Sequence, residues 1–175
     1  MIVTAKTRGF ICTTAHPVGC DFSVKKQIDF VISQPAMRPV NRVLVIGGST
    51  GYGLASRIAL TFGAQAKTLG VAFEKPANGK RTATAGWYNT AAFERYAHEQ
   101  GHYAKSVNGD AFSMAIKQQV MQLIKSDLGQ IDMLVYSLAS PRKKHPLTGE
   151  VYSSVLKPVD SHYHSKTIDL NTGLL

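Results

Sequence analysis

Two parts of this chain combine residue types and spacing that can do chemistry. The first is Gly47, Gly48, Ser49, Thr50, Gly51, Tyr52 and Gly53, entered straight from the apolar run 43–46 (VLVI). Apolar residues at helical spacing follow at once: Leu54, Ala55, Ile58, Ala59 and Phe62. A buried strand, a glycine-rich turn and a helix start in that order form an anion site. Glycines let the backbone approach a pyrophosphate, and unpaired N–H groups with the helix dipole favour its charge. The same pattern also suits a tight strand–helix turn that binds nothing. The second part is Glu74, at the end of the next apolar segment, 68–73 (TLGVAF). It falls about 20 residues past the glycine turn, where an acid can accept hydrogen bonds from both hydroxyls of a dinucleotide ribose and repel a 2′-phosphate. Its alternative is a solvated loop residue. Lys75, Lys80 and Arg81 lie close by and leave a 2′-phosphorylated dinucleotide open.

Two more places belong to the same reading. Asp110 and Ala111 fall just past a third apolar segment, where an adenine contact is usual in dinucleotide-binding folds. Asp110 can equally cap the helix that follows, its carboxylate accepting from backbone N–H groups. Leu138 and Ala139 fall past a fourth segment, where they would lie beside the cofactor's ribose and nicotinamide and contribute backbone and shape.

The elements that must position these residues can be read from periodicity. Strands are expected at 43–46, 68–73, 103–107 and 131–137. Helices are expected from about Leu54 to Gly63, from Thr90 to Gln100 and from about Ala111 to Leu128, the last with Ile116, Val120, Leu123 and Ile124 on one face. Strands alternating with helices predict an α/β fold, a Rossmann-like doubly wound parallel sheet with strand order 3-2-1-4, incomplete after its fourth strand. Residues 1–42 read as an extension packing on the core, with a short strand at Phe10, Ile11 and Cys12. Pro17 and Gly19 break that strand before a helix over 24–33. Residues 43–141 form the dinucleotide-binding half. Residues 142–175 form an irregular tail with a hairpin at 148–155.

Composition narrows the partners. The 175 residues carry a net charge of +9, which suits an anionic partner. The Lys and Arg residues are scattered, with one short cluster at Arg142, Lys143 and Lys144, and no basic stripe interleaved with aromatics runs along the chain; nucleic acid is not expected. No apolar run approaches the ~20 residues of a membrane span. The opening residues lack an apolar signal core, so the expectation is a cytoplasmic protein. Cys12, His16 and Cys20 have C-x3-H-x3-C spacing but lack a clear fourth ligand, and the two cysteines are read as structural thiols.

A series of motifs now carries a resemblance: RGFICTTAHPVGC, VKKQIDFV, VLVIGGSTGYG, LGVAFEK, GWYNTAAF, AKSVNGDAFS, DLGQIDMLVYSLASPR and HPLTGEVYSSVLKP. Together and in this order they resemble the N-terminal part of one bacterial family, the monomeric NADH-dependent trans-2-enoyl-CoA reductases and enoyl-acyl-carrier-protein reductases. The likeness runs from Met1 to about Pro158 and loosens from Asp160, although KTIDLNTG is still similar. It implies that Gly47, Gly48, Ser49, Thr50, Gly51, Tyr52, Phe73, Glu74, Asp110, Ala111, Leu138 and Ala139 bind NAD, with NADH preferred over NADPH. It also implies hydride transfer to the β-carbon of an enoyl-CoA or enoyl-acyl-carrier-protein thioester in fatty acid biosynthesis. In the family a Tyr donates the proton, and a Lys holds the ribose and supports the enolate-like charge.

The chain departs from the family by stopping at Leu175, before the family's Tyr-x8-Lys pair and its substrate-binding Tyr. No catalytic residue is therefore carried over. Tyr96 and Lys105 share the Tyr-x8-Lys spacing but fall where the family has no catalytic residue, and Tyr136 and Lys143 have Tyr-x6-Lys spacing with Tyr136 inside a core strand. The glycine spacing also matches short-chain dehydrogenases, whose Tyr-x3-Lys pair is absent. The expectation is a cofactor-binding portion that does not turn over alone. It would need a complementary C-terminal half, a partner or self-association to cover its open sheet edge. A non-catalytic NAD-binding or partner-binding module is the alternative.

Overall fold

Val43 and Val45 point to one side of their strand and Leu44 to the other, and all three are buried. Burial on both faces marks a central strand of a sheet covered on each side. The structure is a computed structural model that describes residues 2–9, 11–79, 81–155, 159–162, 164–169 and 171–174; Phe10 and Lys80 lie outside the described residues. In chain order the elements are β1 (Thr7–Arg8), β2 (Ile11–Cys12), α1 (Pro17–Ser33), β3 (Arg42–Ile46), α2 (Gly51–Ile58), β4 (Lys67–Ala72), α3 (Ala85–Glu99), β5 (Ala104–Asn108), α4 (Met114–Leu123), β6 (Met133–Tyr136), β7 (Arg142–Lys144) and β8 (Val151–Ser153). A π-helical turn continues α2 over Ala59–Gly63 and another continues α4 over Ile124–Leu128.

The central sheet is parallel, in the order β5-β4-β3-β6. Leu44 stands beside Leu69 and Leu134, and Val45 beside Gly70 and Val135. One face is covered by α1, α2 and α3, whose Val24, Ile28, Leu54, Ile58, Ala92 and Phe93 are buried together. The other is covered by α4, which sets Val120 against Leu44, Leu69, Val71 and Val107. Among the described residues no helix is long and apolar enough to cross a membrane.

A buried charge binds these layers. Arg57 of α2 is 1% exposed and donates to Ser106 Oγ at 2.7 Å and to the Lys105 carbonyl at 2.6 Å, both on β5. Its guanidinium carbon lies 4.4 Å from the centre of the Phe93 ring on α3. It crosses β4 at Gly70, where a Cβ would sit 2.4 Å from Nη1. Burial lowers its pKa to about 10, and Glu94, 3.9 Å away, opposes that shift.

Several expected boundaries move. α1 starts at Pro17, well ahead of the expected 24–33, because the fixed φ and missing N–H of proline suit the first helical position. His16 caps that helix, its Nδ1 accepting from the Gly19 N–H at 3.2 Å. Cys12 is exposed and Cys20 half-buried, both as free thiols. The first helix of the core begins at Gly51 and α3 at Ala85, each earlier than apolar spacing suggests. The tail hairpin is also wider than expected: β7 pairs antiparallel with β8, and Lys143 stands opposite Tyr152.

Candidate functional site

The cleft forms where β3, β4, β5 and β6 all end, which is where open α/β sheets bind ligands. It encloses about 430 Å³. Gly47, Ser49 and Thr50 line it from the turn after β3, and Phe73 and Glu74 from the end of β4. Asp110 and Ala111 line it from the loop after β5, and Leu138 and Ala139 from the segment after β6. Nine expected residues from four loops thus face one space. Gly48, Gly51 and Tyr52 do not line it. Gly48 is buried behind the turn against Val45, Gly51 opens α2, and Tyr52 is 89% exposed on the first turn of α2.

The turn fits an anion. Gly47 has φ +87°, and a Cβ there would lie 2.2 Å from the Ser137 carbonyl oxygen, so the backbone of the turn touches the backbone just past β6. Gly51 has φ +53° and open space where a side chain would stand. The Leu54 N–H is already bonded to the Thr50 carbonyl at 3.1 Å, which places the Gly51, Tyr52 and Gly53 amides in the unsatisfied first turn. Thr50 makes no side-chain cap bond to them, and that turn carries no acid. Arg142 and Lys144, from the basic cluster visible in the sequence, line the cleft as well and add positive charge.

Glu74 is held at several points. Ser49 Oγ donates to its Oε1 and Thr84 Oγ1 to its Oε2, each at 2.5 Å. Its backbone N–H donates to Asn108 Oδ1 at 2.7 Å, and the Asn108 amide returns a bond to its carbonyl at 3.0 Å. Asn89 donates to the Ser49 carbonyl at 3.1 Å and fixes that side of the turn. Thr84, Asn89 and Asn108 act through tertiary contacts across 10 to 40 positions of sequence, so spacing did not expose them. Asp110 does not cap α4. Its carboxylate accepts from the Phe112 N–H at 2.9 Å, and the cap is Ser113, which accepts from the Ile116 N–H.

The two Tyr–Lys spacings do not meet in the cleft. Tyr96 donates to Asp21 at 2.8 Å and Lys105 to Asp127 at 2.6 Å, on α3 and β5. Tyr136 is 61% exposed on β6, and the Lys143 ammonium stands 5.2 Å from the Phe112 ring centre. Among the described residues, no group of three or more His, Cys, Asp or Glu side chains could hold a metal ion.

The parallel sheet, the glycine turn and the cleft at its strand ends define a Rossmann-like α/β protein. Two family models cover most of the chain: the NAD(P)H binding domain of trans-2-enoyl-CoA reductase at residues 2–79 and the trans-2-enoyl-CoA reductase catalytic region at residues 81–175. The chain belongs to the trans-2-enoyl-CoA reductase family. It is 59% identical over 175 residues to a trans-2-enoyl-CoA reductase [NADH] of Ruminiclostridium cellulolyticum, covering 100% of this chain and 44% of that one. It is also 59% identical to an enoyl-[acyl-carrier-protein] reductase [NADH] of Coxiella burnetii, covering 99% and 43%. Among solved structures, the Clostridium acetobutulicum trans-2-enoyl-CoA reductase in complex with NADH aligns with a TM-score of 0.86 at 41% identity, covering 99% of this chain and 44% of that one. The Treponema denticola trans-2-enoyl-CoA reductase in complex with NAD aligns with a TM-score of 0.83 at 44% identity, covering 97% and 44%. The chain thus spans less than half the length of the relatives it matches. The cleft draws on both matched segments, with Gly47 and Glu74 in the first and Asp110 and Leu138 in the second.

Proposed function

We propose that this chain is the NADH-holding part of an enoyl-thioester reductase of fatty acid biosynthesis in the bacterial cytoplasm. The observation that carries the reading is the placement of Glu74 and the glycine turn in one cleft, joined by the Ser49 hydroxyl. The turn from Gly47 to Tyr52 would hold the pyrophosphate on the backbone N–H groups that follow Gly48, since those of Gly47 and Gly48 donate to the Val71 carbonyl at 2.8 and 3.2 Å, with Arg142 and Lys144 adding charge. Glu74 would accept from the ribose hydroxyls and disfavour NADPH. Asp110, Ala111 and Phe73 would flank the adenosine end, and Leu138 and Ala139 the nicotinamide end. The dinucleotide unit would then run from 43 to 141, with 1–42 packed on it and 142–175 leading away.

Bound NADH supplies the hydride that reduces the trans-2-enoyl-CoA or enoyl-acyl-carrier-protein double bond. The chain's own residues bind and orient the dinucleotide. No residue here is assigned to proton transfer, since Tyr96 and Lys105 are tied to Asp21 and Asp127 away from the cleft. The proton donor would come from a complementary C-terminal half, which would also cover the open edge at β6 that otherwise drives self-association. A second reading keeps the same cleft without turnover: a non-catalytic NAD-binding or partner-binding module of this family.

The test is an NADH titration of the purified chain followed by an NADH-oxidation assay with a short trans-2-enoyl-CoA. Binding without turnover is expected, and supplying the C-terminal half of a relative should restore turnover. Rescue by that half separates the reductase reading from the non-catalytic module. Turnover by the chain alone would overturn the assignment of the proton donor elsewhere. Failure to bind NADH would overturn the cofactor reading.

A further inference from the structure

A glutamate can discriminate between two riboses only if it stays where the 2′-substituent arrives. Its side chain has three rotatable bonds, and a free carboxylate would turn aside for a 2′-phosphate. Lys75 and Arg81 stand nearby in sequence to welcome such a phosphate. The geometry here removes that freedom. Ser49 occupies one carboxylate oxygen and Thr84 the other, each at 2.5 Å. Each oxygen keeps a further acceptor site, enough for a vicinal diol.

Thr84 stands at the N-cap of α3, where a threonine ordinarily accepts from the first turn of its helix. It makes no such bond. Its single hydroxyl hydrogen goes to Glu74 at 2.5 Å, and its oxygen accepts from the Lys75 N–H at 3.1 Å. The Thr84 N–H in turn donates to the Lys75 carbonyl at 3.0 Å. Two residues further on, Gly86 leaves the space the carboxylate fills: a Cβ there would lie 2.1 Å from Glu74 Oε1 and 2.8 Å from Ser49 Cβ. The start of α3 is therefore shaped around the carboxylate instead of around its own capping.

We propose that Thr84 is a positioning residue, with Gly86 as its steric counterpart, that fixes the Glu74 carboxylate and so sets the preference for an unphosphorylated over a 2′-phosphorylated ribose. The proposal rests on the NADH reading above. It assigns selectivity to the start of α3, within the segment matched to the catalytic region rather than to the cofactor domain.

The test uses the chain's single tryptophan, Trp87, which lines a small cavity together with Glu74. Energy transfer from Trp87 to the reduced nicotinamide reports binding of NADH and NADPH alike. Dissociation constants for both are measured in the unmodified chain and in Glu74→Ala, Thr84→Val, Thr84→Ser and Gly86→Ala. A hydrogen bond to a charged group implies a loss of NADH affinity on the order of tenfold in Thr84→Val, with NADPH held or improved. Thr84→Ser keeps the donor and should keep the preference. Gly86→Ala should lower the preference as Thr84→Val does, although alanine favours the helix. A purely structural role would weaken both dinucleotides together and leave their ratio unchanged.

Thr84→Val with its preference kept within about twofold would overturn the proposal, while loss of preference in Glu74→Ala would leave the NADH reading standing. If Thr84→Val fails to fold, Gly86→Ala decides by the same criterion. An unmodified chain that binds neither dinucleotide would overturn both the NADH reading and this proposal.

Discussion

Gly47 and Gly51 both have positive φ, yet substitution should affect them differently. A Cβ at Gly47 meets the Ser137 carbonyl, which belongs to the backbone and cannot rotate away. Gly47→Ala is therefore expected to lower stability by about 3 kcal/mol or more, adding steric displacement to left-handed strain. At Gly51 the Cβ meets open space, so Gly51→Ala should cost only about 1–2 kcal/mol. The Gly51 amide nevertheless stands in the unsatisfied first turn of α2 proposed to hold the pyrophosphate, so a strained backbone there should lower NADH affinity more than stability. Urea denaturation and NADH titration of the two variants test this crossed ordering; a matched loss of both properties would remove the anion role. Charge gives a second residue-scale prediction. Lys144→Glu should weaken NADH binding and flatten its salt dependence, whereas an unchanged titration at low and high salt would place Lys144 outside the site. The glycine turn and Glu74 were legible because their chemistry is local: a run of glycines after an apolar strand, and an acid at the end of the next. Ser49 was legible as a backbone position only. That its hydroxyl bonds Glu74 depends on β3 and β4 lying side by side, which is a property of the sheet.

Among the elements, Arg57 holds α2 to β4 and β5 by neutral oxygens and an aromatic face, with Glu94 more distant. Arg57→Met should retain much of the packing but leave the Lys105 carbonyl and Ser106 without their donor. A loss of about 2–4 kcal/mol is expected, and Arg57→Lys should recover little, since an ammonium cannot reach both acceptors as the guanidinium fork does. Thermal melting of both variants tests this. The pH dependence of stability should show two windows. Burial against Phe62 lowers the His102 pKa, so the unfolded chain binds its proton first. That contribution is present above the usual histidine value, about 6.5, and is lost as pH falls below it. The Asp127 pKa is held low by Lys105, Ser126 and Tyr103, so its contribution persists above the usual carboxylate value, about 3.9, and is lost only below that. His102→Phe should remove the upper window and Asp127→Asn should shrink the lower one, to which Asp21, Asp132 and Asp169, also held low, contribute; a single unchanged acid limb in both would refute the assignment. Helix existence was legible and helix starts were not, for a physical reason. Apolar spacing marks where a helix faces the core, whereas α1, α2 and α3 begin earlier, on Pro17, Gly51 and Ala85. Those first turns face solvent or the cleft and carry little periodicity.

For the molecule as a whole, the alternation of strands and helices made the parallel sheet legible, and its order followed only from taking the sheet as doubly wound. The tail was less so, because β7 is the charged triplet Arg142–Lys144, which has no strand-like apolar pattern and is read from sequence as a basic patch. The two edges of the central sheet differ. At one edge β5 lies under α3 and α4, with Ala104 and Val107 buried. At the other, Leu134 and Tyr136 of β6 share the face that α4 covers over β3 and β4, yet they remain 53% and 61% exposed. An apolar strand with an unpaired edge and an uncovered face is a template for another strand. The 175-residue chain is therefore expected to associate reversibly at micromolar concentrations. Leu134→Lys should shift it toward monomer by placing a charge on that face without disturbing the β3 pairing. A sedimentation-velocity concentration series on both proteins tests this. If the unmodified chain stays monomeric at hundreds of micromolar, the β6 edge is protected without a partner. If it associates and Leu134→Lys does not, the contact lies elsewhere, and the apolar residues exposed on α1, Phe22, Phe30 and Ile32, become the surface to alter next.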